Sequence, residues 1–229
     1  LDTGLNSVVI DLKMDNGLLA FESGNPEYEK YTMDKPVLKD LEGLLESLAE
    51  KDIYRIARIA VMRDGIFART HPELAVQTKW GTLWQDNIGS VWADPTSDEL
   101  AQYAIGLGKE AYARGFDEVQ YDYVRFPSDG NMSSISSPVY NQASSTKSEM
   151  MAKFFEKVGG AMQVEGIPVS FDIFGLTYGA THDLNIGQWL PDIYPYADFL
   201  SPMVYPSHYP SGHRGHANPA IFPYDVVNS

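Results

Sequence analysis

Apolar positions along the chain alternate between two periods. Val8-Val9-Ile10-Asp11-Leu12-Lys13 is short and β-branched and is followed by the turn signal Asp15-Asn16-Gly17, which predicts a strand. A period of two puts Val9, Asp11 and Lys13 on one face of it. Residues 22–35 are acidic and tyrosine-rich without a clean period and predict a loop. Leu38, Leu41, Leu44, Leu45 and Leu48 then repeat at helical spacing, with Pro36 near the first turn. Residues 53–62 predict a second strand that carries Arg58 and Ala60 on one face. A helix follows from a Ser or Thr cap in Pro95-Thr96-Ser97-Asp98-Glu99 to Gly115. Residues 116–127 predict a third strand ending at Pro127, with Gln120 and Asp122 sharing a face among apolar neighbours. Thr146 and Glu149 fit a capping box for a helix that runs to Gly166. Residues 168–175 form the fourth strand, with Ser170 and Asp172 on one face, and a short helix follows around Trp189 and Ile193. Residues 198–206 form the fifth, with Ser201, Met203 and Tyr205 aligned, and residues 224–227 could open a last helix.

Strands and helices in alternation imply a parallel sheet in an α/β fold. Each strand leads into a polar or aromatic loop, as at the C-terminal mouth of a TIM-type (β/α) barrel. A complete barrel has eight strands and five are legible here, which predicts an incomplete barrel over residues 1–229 as a single domain. No Gly-rich phosphate turn follows a strand, which argues against a doubly wound nucleotide-binding sheet. The connection over residues 65–95 holds Trp80, Trp84 and Trp92, three of the four tryptophans. They could anchor that loop to the barrel or offer flat faces on which a sugar ring stacks. Residues 128–145, rich in Ser, Asn, Gly and Pro, predict a mobile loop.

Composition narrows the partners. The 229 residues carry 17 basic and 31 acidic side chains, for a net charge of -14. Nucleic acid is therefore a poor partner. Cysteine is absent, so neither disulfides nor thiolate metal sites can form. No apolar run is long enough to span a membrane. The start, Leu1-Asp2-Thr3-Gly4, has no signal-peptide pattern and reads as an interior point of a longer protein.

The strand parities bring Asp11, Lys13, Arg58, Gln120, Asp122, Ser170, Asp172 and Tyr205 to one mouth. Two carboxyl groups are what glycosidic hydrolysis needs. One protonates the leaving oxygen, and the other attacks the anomeric carbon or activates water. Asp122 and Asp172 form the best pair, at matching depths on successive strands, with Asp11 a third candidate. Each of these groups could instead be a charge paired for packing. His208 directly follows the fifth strand and could bond a sugar or assist a proton transfer, while His213 and His216 lie on a polar loop poorly suited to hold a metal. A serine hydrolase lacks its G-x-S-x-G elbow. No cofactor is implied.

Several stretches resemble one bacterial family, the putative glycoside hydrolase domain family, formerly a domain of unknown function. They are Asn6-Ser7-Val8-Val9-Ile10-Asp11-Leu12-Lys13, Ile53-Tyr54-Arg55-Ile56-Ala57-Arg58, Gly115-Phe116-Asp117-Glu118-Val119-Gln120-Tyr121-Asp122-Tyr123-Val124-Arg125-Phe126-Pro127, Val169-Ser170-Phe171-Asp172-Ile173-Phe174-Gly175 and Pro202-Met203-Val204-Tyr205-Pro206-Ser207-His208-Tyr209. The resemblance implies a glycoside hydrolase barrel without its first strand and last two. By analogy with some α-amylase-like barrels, it makes Asp122 the nucleophile and Asp172 the acid/base, although those barrels carry the longer Glu at the second place. It implies a carbohydrate substrate, and the residues expected from the strand faces and loops to meet one are Asp11, Lys13, Arg58, Trp80, Trp84, Trp92, Gln120, Arg125, Tyr205 and His208. A bacterial envelope or extracellular polysaccharide is the implied class, and an extracellular or envelope location goes with it. The rival expectation is a non-catalytic carbohydrate-binding or scaffold barrel, in which Arg58, Lys13 or Arg125 ties up the two aspartates. A metal-dependent hydrolase is a more distant third.

Overall fold

The computed structural model describes residues 4–136 and 144–228. Part of the expected mobile loop, residues 137–143, and the first three residues of the expected interior start lie outside them.

Strands β1 (Ser7–Lys13) and β2 (Tyr54–Ala60) are joined through helix α1 (Leu41–Ala49). The connection after β2 carries the short helix α2 (Gly65–Thr70) and strand β3 (Gln77–Thr78). Helix α3 (Asp98–Arg114) leads to β4 (Glu118–Asp122), and the next loop holds β5 (Ile135–Ser136). Helix α4 (Lys147–Val164), β6 (Val169–Phe174), α5 (Leu190–Ile193), β7 (Phe199–Met203) and α6 (Pro223–Val227) complete the order. The main sheet is parallel, in the order β1-β2-β4-β6-β7. Every strand thus lies beside the next one in sequence. That sequential order is the arc of a β/α barrel, whereas a doubly wound sheet would reverse direction part-way.

Local chemistry sets the helix ends. Ser97 accepts a hydrogen bond from Leu100 N to start α3, and Gly115, at φ 110°, ends it in the left-handed region. Thr146 and Glu149 form the expected capping box of α4. Helix α1 differs from expectation. It begins after Asp40, whose side chain accepts from Gly43 N, so Pro36 and Leu38 lie outside the helix.

The convex face of the sheet packs on α3 and α4. Tyr121, Val119, Phe171 and Ile59 are buried there against Leu107, Ala111, Phe155 and Val158. Phe155 meets Phe171 edge-on at 5.0 Å, and the Tyr121 hydroxyl donates to Ala104 O at 3.0 Å. The concave face is only partly covered. Val9 on β1 is 52% exposed and Phe199 on β7 is 53% exposed, although both side chains point inward from the arc. Those two strands are the ends of the sheet, and among the described residues they do not meet. The barrel is incomplete.

The described parts of the two long connections pair with each other. Strands β3 and β5 pair antiparallel, Gln77 with Ser136 and Thr78 with Ile135, clasping the loop after β2 to the loop after β4. Ala75 with Ala93 and Gln85 with Val91 add further bridges inside the tryptophan loop.

Candidate active site

Parallel register stacks the concave side chains in levels. Asp11 pairs with Arg58, Arg58 with Gln120, and Gln120 with Ser170. One level nearer the mouth, Asp122 and Asp172 stand at corresponding positions on neighbouring strands. Arg58 joins the levels. It hydrogen-bonds and ion-pairs with Asp122, its Nη1 meets Asp11 Oδ1 at 2.5 Å, and its Nε lies 3.8 Å from Asp172 Oδ2. Burial works against the Arg58 charge, but Asp122 and Asp11 outweigh it and hold the guanidinium above its usual range.

Asp172 behaves differently from an ordinary carboxylate. Burial and the neighbouring Asp122 charge push its carboxyl up to about 8, and Arg58 only partly offsets them. The strand environment therefore favours a protonated Asp172 beside an Asp122 that shares its charge with Arg58. Deeper in the arc, Ser170 Oγ donates to the buried Glu118 at 2.5 Å, and Gln120 Nε2 donates to Ser201 Oγ at 2.9 Å.

A cleft of about 410 Å³ opens over the C-terminal strand ends, with Asp122, Arg63, Trp92, Arg125, Phe174 and His208 among its walls. Its geometry follows from the end of β4. Tyr123 lies in the left-handed region at φ 54°, an unfavoured conformation for a non-glycine residue. Its N–H donates to Asp122 Oδ1 at 2.5 Å. The predicted strand to Pro127 therefore stops at Asp122, and the chain turns so that Tyr123 and Arg125 line the cleft. Gly175 sits where a Cβ would collide with the Tyr209 hydroxyl, which lets the two loops close on each other. Asp86 also lines the cleft. Its carboxylate accepts from Ile88 N, Ser90 N and Trp92 Nε1.

The expected site residues divide. Asp11, Arg58, Gln120, Asp122 and Asp172 share the concave face. Trp92, Arg125 and His208 line the cleft with Asp122. Lys13 does not join them, which corrects its expected place. The register shifts between Asp11 and Lys13, so that Lys13 sits opposite Ile59 and turns to the helix side. There it is 1% exposed, donates to Ala60 O at 2.5 Å and pairs with Asp64 at 2.7 Å. Trp84 is a buried anchor whose Nε1 donates to Asn131 O at 3.0 Å. Trp80 is 70% exposed under Lys79 and away from the cleft lining. Tyr205 is exposed and packs beside His208 at 5.1 Å without lining the cleft. His213 lies against Tyr209, and His216 pairs with Asp225 at 3.1 Å. Among the described residues no cluster of three or more metal-ligating side chains occurs, and no helix is long and apolar enough to cross a membrane.

Sequence reasoning missed Arg63, Tyr123 and Asp86. Arg63 follows the expected end of the second strand, where a barrel places site residues, so its position could have found it, whereas Tyr123 falls inside the strand expected to run to Pro127. Asp86 carries no such signal.

Comparison with known proteins agrees with this architecture. A hypothetical protein from Ruminiclostridium thermocellum superimposes with a TM-score of 0.64 at 31% identity, over 75% of this chain and 85% of that one. The PgaB (BpsB) glycoside hydrolase domain from Bordetella bronchiseptica gives 0.61 at 14% identity, over 97% of this chain and 69% of that one. An α-galactosidase from Thermus thermophilus gives 0.53 at 16% identity, over 91% of this chain and 37% of that enzyme. The last two likenesses concern the fold. No curated protein matches the sequence. The family model described as "putative glycosyl hydrolase domain" matches residues 1–229, and the chain belongs to that family.

Proposed function

We propose that the domain hydrolyses O-glycosidic bonds of a polysaccharide, with Asp172 and Asp122 as its two carboxyl groups. The observation that carries this is the geometry, two carboxyl groups at one level on neighbouring strands, Asp122 ion-paired with Arg58 and Asp172 buried with its carboxyl pushed up to about 8. Such a pair supplies an acid and a carboxylate at neutral pH. Asp172 protonates the leaving oxygen. Asp122, facing the cleft, attacks the anomeric carbon or draws a proton from water. Adjacent strands lie about 4.8 Å apart, which at equal depth matches the roughly 5–5.5 Å carboxyl spacing of retaining enzymes. Trp92 and Phe174 supply apolar wall for a sugar ring. The substrate class we assign is a bacterial envelope or extracellular polysaccharide, with the domain working outside the cytoplasm; family membership itself supports the glycosidase reading.

Asp122→Asn tests the pairing. The variant keeps its fold and loses on the order of 10³-fold or more in turnover on a glycan that the parent cleaves. Equal rates in the two proteins would end the assignment. Proton NMR of the first-formed product should show a retained anomeric configuration.

One observation favours a second reading. The hydrogen-bonded Arg58–Asp122 pair is the arrangement expected of a barrel that binds carbohydrate without cleaving it. A glycan array run beside a reducing-sugar assay separates the two, since binding without release selects the second.

A further inference from the structure

Three arginines lie around Asp122, Asp172 and the cleft that Asp122 lines, and two of them are answered by carboxylates. Arg58 has Asp11 and Asp122. Arg63 has Asp15 at 2.7 Å and Asp86 at 3.5 Å. Arg125 has none within ion-pairing distance among the described residues, although it is only 8% exposed. Its hydrogen bonds among the described residues leave from Nη1, to Phe126 O at 3.0 Å and Ser128 Oγ at 3.2 Å. Three aromatic faces hold the guanidinium in place, with Phe174 at 4.6 Å, Trp92 at 4.9 Å and Tyr123 at 5.6 Å.

Aromatic faces stabilise a buried cation only in part, and a buried charge without a counter-ion is costly. Burial accordingly lowers the Arg125 guanidinium to about 10, against the weaker pull of Tyr123, Asp122 and Asp129. Arg125 also lines the cleft together with Ser128 and Asp122. A fixed, planar, unanswered fork at the wall of a sugar-sized cleft matches an oxyanion on the ligand.

We propose that Arg125 anchors an acidic substituent of the glycan, a uronate carboxylate or a sulfate ester, so that the cleft takes an acidic polysaccharide. The inference rests on the carbohydrate reading above and adds the substrate class. The net charge of -14 repels such a polymer at long range, so affinity must come from this local pairing and not from steering.

Calorimetric titration in the Asp122→Asn background, which spares the ligand, tests it. The probes are a uronate tetrasaccharide, the same tetrasaccharide after carboxyl reduction, and a sulfated neutral tetrasaccharide. The acidic probes should bind at least about tenfold tighter than the reduced one, in line with a charge-assisted bidentate contact. The uronate and sulfate arms show which oxyanion is taken. Arg125→Met should abolish the preference while leaving the reduced tetrasaccharide nearly unchanged. Arg125→Lys, which keeps the charge and loses the fork, should restore part of it and covers the case in which the methionine variant does not fold. Equal affinity for acidic and reduced probes, no binding of either acidic probe, or equal weakening of all probes by the arginine variants would each overturn the proposal. Turnover by the parent protein is read separately. Arg125-dependent acidic preference without glycan release would remove the hydrolase reading and leave the anion site standing.

Discussion

Arg58 is shared by Asp11, Asp122 and Asp172, drawn from three different strands. Its removal leaves like charges facing one another on a half-buried surface, so Arg58→Met should destabilise the fold by about 3 kcal/mol in urea unfolding. Asp172 sets the pH dependence. Its folded carboxyl is raised to about 8 from an ordinary 3.8, so between those values the native state holds a proton that the unfolded chain has lost. Its contribution is therefore greatest below about 4 and is lost as pH rises through about 8. Asp172→Asn should gain in melting temperature relative to the parent as pH rises across that window, and level off above it. If Asp172 is the proton donor, parent activity should fall over the same upper limb. A stability difference independent of pH would contradict the raised carboxyl.

Elements explain why some of this was legible beforehand and some was not. The β-branched runs around Val9, Ile59, Val119 and Phe171 announced the parallel strands. The period of two correctly put Asp11, Arg58, Gln120, Asp122 and Asp172 on one face, because parallel register carries parity from strand to strand. Lys13 escaped that logic through a one-residue register shift, which no hydrophobic pattern encodes. Tyr123 escaped it because a left-handed residue other than glycine or asparagine has no sequence signal. Of the three loop tryptophans, only Trp92 reaches the cleft, since loop conformation is decided by bridges such as β3 with β5 and not by periodicity. The corrected place of Lys13 has a measurable outcome. Asp64 caps α2 and is fully buried against Lys13. Lys13→Met strands that carboxylate and should cost about 3–5 kcal/mol in chemical denaturation, with KM unchanged.

At the scale of the whole molecule, the two outer strands of the arc are chemically unequal. A free strand end is a template on which another chain can pair, and proline blunts it because it lacks an N–H. β7 contains Pro202, whereas β1 runs Ser7-Val8-Val9-Ile10 without a proline or a charge until Asp11. Short, uncharged, β-branched segments of that kind favour intermolecular stacking. Val9→Lys should therefore suppress concentration-dependent association in sedimentation velocity, with stability changed by only about 0.5 kcal/mol because the side chain is already half-exposed. Phe199→Lys should do less. Self-assembly of this domain would begin at β1, and handling or crystallising it would depend on keeping that one rim occupied or charged.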